Sequence, residues 1–462
     1  MVPFDAVIIG SGPAGSTAAR LLAQWGHSVA ILTAPGGSQL SFAECLPPST
    51  RKLFEFLGIQ DAVDRAGFYP TTGNTVWWGK ARRRVELYPE GWGYQVLRSE
   101  FDALLLHLAR EAGAQVQFGK VFGDLNHTGP RIEFQSGGNR ARIDAKFVMD
   151  CSGRAGVLGR RLRAPQPKSR TAALCAVWRN QSPWKLPDPS HTLVESYRDG
   201  WAWSVPLSPL IRHVAVMVDL AETRLVRGKG LAAAYHAELA KTRAFRRIFA
   251  HSIPHRAPWG RAASLYTCER FCGPGYLLAG DAASMIDPIS SFGVKKAIAS
   301  AWVGAVVANT CLRKPAMQDI ALRFYEDRER EVYDEWHKLS ASWFRKGGCL
   351  HPFWEDRAAV PDSSTSKQEA ARVAWEQLRQ KPSIRLRRTG IPLPPQAAIE
   401  ANEIVLRDAM LGEVNLVRLS QIAEHHSQVP DIFEAYNRTC PPVALPGFLA
   451  ALSTLIADGV LT

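Results

Sequence analysis

Apolar residues fall in short runs along most of this chain, and the residues between the runs identify the elements. Val7-Ile8-Ile9 runs straight into Gly10-Ser11-Gly12-Pro13-Ala14-Gly15, and Ser16 to Trp25 then has helical spacing. After Gly26, Ser28 to Leu32 is a second strand-length apolar run. The pattern predicts strand, tight turn, helix and strand. Phe101, Leu104, Leu105 and Leu108 mark an amphipathic helix over Arg98 to Ala112, with a strand from Ala114 to Phe118 after it. Phe147-Val148-Met149-Asp150 reads as a strand closing on Cys151-Ser152-Gly153. Thr171 to Trp178, Leu193 to Tyr197, Ala202 to Leu207 and His213 to Leu220 read as a run of strands. Tyr276 to Ala283 is another strand ending on an acid. Gly293 to Leu312 and Asp319 to Phe344 read as helices. Beyond Gly347, prolines and charges are frequent (Pro361, Pro382, Pro392, Pro394). Helical patterns then cover Ala398 to Met410, Val417 to His425 and Pro446 to Ala457, and the end, Leu449 to Leu461, resembles the closing helix and turn of a winged-helix-like module.

The first motif is a dinucleotide fingerprint in its proper setting, a βαβ unit. Gly10 allows the tight turn, and Gly12 lets backbone approach a pyrophosphate. Gly15 lets helix and strand pack closely, and the phosphates sit on the helix N-terminus through Pro13 and Ala14. A second motif, Leu277-Leu278-Ala279-Gly280-Asp281-Ala282-Ala283, brings an aspartate to a strand end, where it can accept a hydrogen bond from a ribityl hydroxyl. Asp287-Pro288 and Gly293-Val294 then place a rigid turn and a helix start where a flavin ring would lie, and a helix N-terminus favours negative charge on reduced flavin. Together the two motifs indicate FAD.

Composition bounds the rest. Of 462 residues, 46% are hydrophobic and 21% charged, as in ordinary globular proteins. No leader-like segment precedes the first strand and no apolar run has membrane-spanning length, so a cytoplasmic protein without membrane association is expected. The eight cysteines are scattered, and the pair Cys268 and Cys272 has no second pair to complete a metal site. A net charge of +13 fits either plain solubility or attraction of an acidic polypeptide, and no nucleic-acid module is present.

Further segments carry a family resemblance over about residues 1–345. Asp150-Cys151-Ser152-Gly153-Arg154 is similar to a D-x-S-G-R segment, and Gly200-Trp201-Ala202-Trp203-Ser204-Val205-Pro206 to G-W-x-W-x-I-P. Asp287-Pro288-Ile289-Ser290-Ser291-Phe292-Gly293-Val294 is similar to D-P-x-x-S-x-G-V, and Glu44-Cys45-Leu46-Pro47-Pro48-Ser49 to G-E-S-L-P-P-S. On these the chain resembles the flavin-dependent monooxygenase and halogenase superfamily. The resemblance implies a mixed α/β fold: a Rossmann-like FAD-binding domain (1–78, 96–165 and 263–345), an inserted substrate-binding β-sheet domain (79–95 and 166–262), and a mostly helical C-terminal module (346–462). It also implies that Arg98, opening Arg98-Ser99-Glu100-Phe101-Asp102, reaches the flavin or its phosphates, and that the loop with Cys45 and Pro47 walls the active site.

Two departures matter. The acid that usually ends the second strand and binds ribose is replaced by Thr33, which predicts loosely held FAD. The halogenase-type lysine is missing from Gly67-Phe68-Tyr69-Pro70-Thr71-Thr72-Gly73-Asn74-Thr75-Val76-Trp77-Trp78-Gly79. Thr71 and Thr72 occupy its region, and Lys80 is off register. The resemblance then implies oxygen transfer from a flavin C4a-hydroperoxide to an electron-rich ring rather than halogenation. Trp77, Trp78, Trp201 and Trp203, from a total of fourteen tryptophans, are candidate walls for an aromatic substrate, with Cys45, Pro47 and Ser291 beside them. No general base is identifiable. The missing lysine, the W-x-W segment, the positive charge and the extra C-terminal region resemble the flavoproteins that hydroxylate a protein tryptophan during tryptophylquinone biogenesis, as in quinohemoprotein amine dehydrogenase maturation. That resemblance implies a tryptophan-bearing polypeptide partner, with electrons from NAD(P)H or a separate flavin reductase. Alternatives are a flavin-dependent halogenase, a geranylgeranyl-reductase-like flavoprotein, and a non-catalytic flavoprotein chaperone.

Overall fold

The strand Phe4–Ile9 is the axis of the larger unit. It pairs in parallel with Val29–Thr33 on one side and with Ala145–Asp150 on the other. Gln115–Phe118 and Tyr276–Leu278 extend this sheet in parallel, and Cys272–Gly273 adds a short antiparallel edge. Ala6 to Ile9 are fully buried, as a sheet covered on both faces requires. Helix Pro13–Gln24 packs on the helices Arg98–Glu111 and Gly293–Arg313. The computed structural model describes residues 4–35, 42–80, 83–126, 129–165, 170–220, 223, 230–347, 350–359, 366–381 and 384–462. Pro361 and Pro382 lie outside the described residues.

The second sheet has eight strands and is built around Thr171–Arg179, Ile211–Asp219, Gly200–Pro206, Thr192–Tyr197 and Gly73–Trp77, in that spatial order. Neighbours are antiparallel except Thr192–Tyr197 with Gly73–Trp77, which run parallel. Alternation sorts the side chains. Leu174, Val214 and Val216 pack with Tyr235 and Phe245 on one face. Ala173, Trp201 and Met217 pack with Phe344 and Trp354 on the other. A third sheet, Ala43–Leu46, Gly93–Leu97 and Tyr69–Thr71, holds Glu44 within its first strand, paired with Val96.

The chain divides into two compact units, Met1–Val360 and Pro361–Thr462. The division falls beyond the expected 345/346 boundary because helix Pro352–Ala358 belongs to the first unit. Phe353 and Trp354 are buried against Phe344 and Trp78, and Arg357 pairs with Asp219 at 3.2 Å. The second unit holds helices Ser366–Gln380, Leu416–His425, Val429–Thr439 and Leu445–Ala457 around Leu419, Ile432, Phe448 and Leu452. Where helix is expected over residues 398–410, Gln396–Glu400 and Glu403–Arg407 instead form a hairpin, and Met410–Leu411 pairs with Val414–Asn415. Ile399 faces Ile404 and Ala398 faces Val405, and Ala401 turns the chain at φ 50°. Cross-strand pairing of branched side chains overrides the helix propensity of the alanines there. Among the described residues the seven cysteines are free thiols, and no helix is long and apolar enough to cross a membrane.

Candidate active site

A cleft of about 740 Å³ opens at the end of the first strand. Ile9, Gly10, Gly12, Pro13, Ala14 and Thr33 line it on the fingerprint side. Gly10 sits at φ 101°, and a Cβ there would lie 2.5 Å from the Cys151 carbonyl oxygen. Gly15 lies behind the cleft. Its Cβ would approach the Gly10 carbonyl oxygen to 1.9 Å, so the strand and helix can meet only without that atom. The helix opens on Gly12 without a side-chain cap or an acid in its first turn. Its unpaired N–H groups and dipole are therefore free for an anionic ligand. Thr33 exchanges a 2.8 Å hydroxyl hydrogen bond with Ser11. Across the cleft, Asp150 accepts hydrogen bonds from the amides of Ser152, Leu158 and Gly159 and so shapes the Cys151-Ser152-Gly153 turn that lines the cleft. A cradle of backbone amides and small residues this size fits the pyrophosphate and adenosine of FAD.

Four residues, Glu44, Arg98, Asp281 and Gly293, line both this cleft and a second cavity. Arg98 donates two parallel hydrogen bonds to Asp102, at 2.9 and 3.0 Å, and lies 3.7 Å from Glu44. Burial pushes the Glu44 carboxyl up to about 6, against the pull of Arg98. Val294 and Gly293 open the long helix at the cleft wall. Gly280 stands behind Asp281. The buried Lys296 ammonium donates to the Gly280 carbonyl at 2.9 Å, the Ser284 carbonyl at 2.6 Å and the Ser284 hydroxyl at 2.8 Å. These three bonds fasten the Gly-Asp turn to the long helix.

The second cavity, of about 200 Å³, is walled by Phe42, Trp201, Trp203, Met217 and Met285. Trp201 and Trp203 reach it together because alternate residues of Gly200–Pro206 share a face. Cys45, Pro288 and Ser291 also line it. Burial pushes the Cys45 thiol up, and its Sγ lies 3.5 Å from the Tyr88 hydroxyl, so the group stays a protonated thiol at neutral pH. Asp287 completes the polar side. Its carboxylate accepts from the Ile289 amide at 3.0 Å, and burial pushes it up to about 6.

Three expected wall residues stand elsewhere. Trp77 ends its strand on the opposite face and packs beside Leu186 and Leu193. Trp78 is driven into the core against Trp201 and Trp354, and its indole N–H donates to the Trp343 carbonyl at 3.0 Å. Pro47 lines neither cavity. Its carbonyl accepts from the Thr50 amide at the start of helix Ser49–Phe56. Thr71 is buried, and its hydroxyl donates to the Gly73 carbonyl at 3.3 Å.

Sequence reading left several residues here without a role. Glu44 and Arg154 sit in recognised motifs, but only the fold turns them towards the aromatic cavity, and Lys296 and Arg261 carry no sequence signal at all. His213 lies just behind Trp203, between Phe42 and Trp259, with ring centroids 5.6 to 6.0 Å apart. Burial holds its imidazole down to about 3, so it is neutral and outside the cavity.

The FAD binding domain family matches residues 4–330. The tryptophan 2-halogenase of Chondromyces crocatus is 27% identical over 351 residues, covering 73% of this chain and 67% of its own. The 1H-pyrrole-2-carbonyl (peptidyl-carrier protein) chlorinase of Pseudomonas fluorescens is 25% identical, covering 76% and 86%. Among solved structures, the flavin-dependent halogenase CmlS superposes with a TM-score of 0.81 at 22% identity, covering 100% of this chain and 96% of its own. QhpG, a peptidyl tryptophan dihydroxylase essential for tryptophylquinone cofactor biogenesis, superposes with a TM-score of 0.72 at 21% identity, covering 99% and 100%.

Proposed function

The chain belongs to the FAD binding domain family, and from that premise we infer that it hydroxylates an electron-rich aromatic ring, a tryptophan held in a polypeptide. It is an FAD-dependent flavoenzyme of the group that comprises aromatic halogenases and hydroxylases. The observation that carries hydroxylation over halogenation is the make-up of the aromatic cavity. Among the described residues no lysine lines it. Lys296 is consumed by the Gly280–Ser284 turn, and Lys80 is exposed on the turn after Trp78. Thr71, in the region of the halogenase lysine, carries no ammonium and spends its hydroxyl on Gly73.

FAD held in the cleft would, once reduced, supply activated oxygen from O2. The chain does the remainder. Gly10 to Ala14 and Asp281 hold the cofactor's polar parts, and Arg98, braced by Asp102, keeps a positive charge beside the cavity. Trp201, Trp203 and Phe42 hold the ring by its faces and exclude water. Oxygen transfer to an aromatic carbon leaves a C–H proton to remove before aromaticity returns. Glu44 lines both cavities and burial pushes its carboxyl up to about 6, so it is the carboxylate assigned to take that proton. NAD(P)H, directly or through a separate reductase, supplies the electrons that reduce the second oxygen atom to water.

The halogenases named above support a second reading, halogenation of an aromatic substrate. One reaction mixture separates the two: a tryptophan-containing peptide with this protein, FAD, NADH, a flavin reductase, oxygen and bromide, analysed by mass spectrometry. A gain of one or two oxygens on tryptophan is expected. A bromine isotope pair would establish halogenation in its place, and unmodified peptide would remove both readings for polypeptide substrates.

A further inference from the structure

The positive charge is unevenly distributed. Residues 361–462 contain ten Lys and Arg against eleven Asp and Glu, so the whole +13 excess belongs to the flavin-binding unit. Within that unit, guanidinium groups gather at the aromatic cavity. Arg154 and Arg261 line it, while Arg154 does not line the cofactor cleft, although its neighbours Ser152, Gly153 and Ala155 do. Arg163 lies against the same turn. Its guanidinium reaches the Gly153 carbonyl at 3.5 Å and stacks 4.0 Å above the Tyr266 ring. Tyr266 in turn donates to the Asp281 carbonyl at 2.6 Å, which ties the cluster to the site. Arg261 lies over Phe42, a wall of the cavity, at 5.7 Å.

This arrangement has a cost that the reaction does not explain. Burial holds the Arg154 guanidinium below its ordinary range, and the like charges of Arg261 and Arg163 lower it further, against Asp281 and Tyr266. Among the described residues Arg154 has no hydrogen-bond or ion-pair partner. Positive charge also opposes the electron-poor ring that forms as oxygen is transferred. An anionic group on the substrate removes both penalties. Guanidinium forks match carboxylates in bidentate geometry, and a cationic rim steers acidic partners to the cavity.

Building on the hydroxylase reading above, we propose that Arg154, Arg163 and Arg261 form a recognition rim that selects a tryptophan flanked by Asp or Glu in its polypeptide. The cavity admits one aromatic side chain, and the neighbouring acidic side chains stay outside it on the rim. The rim acts on binding, so its effect falls on KM.

The test compares two synthetic peptides, Gly-Asp-Trp-Glu-Gly and Gly-Asn-Trp-Gln-Gly, both capped, in oxygen incorporation by the holoprotein with FAD, NADH and a flavin reductase. The wild type is expected to prefer the acidic peptide by about tenfold in kcat/KM, mainly through KM, with the preference fading as salt rises. R154Q/R261Q is expected to use the two peptides equally while retaining FAD, and R154K/R261K to keep most of the preference. Equal use of both peptides by the wild type would overturn the rim. So would flavin loss from R154Q/R261Q that R154K/R261K restores, because the arginines would then be serving the cofactor. If neither peptide gains oxygen while free indole does, the polypeptide reading fails and the rim fails with it. If both gain oxygen at the same rate, the polypeptide reading stands alone.

Discussion

The cofactor cleft and the aromatic cavity share Glu44, Arg98, Asp281 and Gly293, yet they are built from different materials. The cleft is made of backbone: an uncapped helix start, two glycine contacts that leave no room for a methyl group, and a turn shaped by Asp150. The cavity is made of side chains delivered by distant segments, from Phe42 through Trp201 and Met217 to Ser291. A change in the first acts on everything the unit holds, including its fold. A change in the second acts on turnover and leaves the scaffold standing.

Gly15→Val breaks the comparison from the cleft side, with the largest effect. The new Cβ would meet the Gly10 carbonyl oxygen at 1.9 Å, and neither strand nor helix can retreat without unpacking Ala18 and Ala19 from the core. A loss above about 4 kcal/mol is expected, together with loss of bound flavin. Thermal denaturation and the flavin content of the purified protein both read it. A variant that melts like the wild type would mean the turn is more plastic than the backbone contacts allow.

Glu44→Gln probes the shared boundary. A fall in kcat of about 100-fold is expected, with flavin content unchanged. The wild type should lose activity roughly tenfold per pH unit below about 6, where the carboxyl is protonated and cannot accept the ring proton, and the variant's residual rate should lack that limb. Stability moves the other way. A carboxyl raised from 4.5 to about 6 in the fold contributes stability that is present below 4.5 and lost as pH rises through 6. The neutral amide escapes that loss, so the variant should melt with the wild type at pH 4 and above it at pH 7. Asp287 is also pushed up to about 6, and it separates the cases: Asp287→Asn should leave the acid limb of the rate profile in place. A limb that survives Glu44→Gln and vanishes with Asp287→Asn would reassign the base.

The same contrast decides what the sequence could tell. Gly10, Gly12 and Gly15 act within one turn, so their spacing carries the geometry. Gly280 and Asp281 do likewise, and W-x-W is a strand's period of two. The cavity needs facts that no short window holds. Trp77 and Trp78 are adjacent in sequence, but one ends its strand on the far face and the other meets Trp354, a residue supplied from another element. The raised pKa of Glu44 is a property of burial, and its identity alone points the other way. The hairpin at Gln396–Arg407 was hidden because its alanines and glutamates favour helix until Ile399 finds Ile404.

Thr33→Asp sharpens the comparison with the smallest effect. Thr33 ends its strand at the cleft, where among the described residues its hydroxyl bonds Ser11, and a threonine oxygen would meet a ribose hydroxyl without charge. An aspartate there accepts the same Ser11 hydrogen bond and offers the ribose a charge-assisted one, so FAD should bind about tenfold more tightly. The apoprotein carries the opposite burden, because a carboxylate at a site only 8% exposed is poorly solvated until ribose arrives. Fluorescence titration of the apoprotein with FAD measures the gain, and melting of apo and holo forms measures the burden. Turnover at saturating FAD should not change, since no atom of this position borders the aromatic cavity. A change in kcat without a change in FAD affinity would place Thr33 in the chemistry and erase the division between a backbone-built cleft and a side-chain-built cavity.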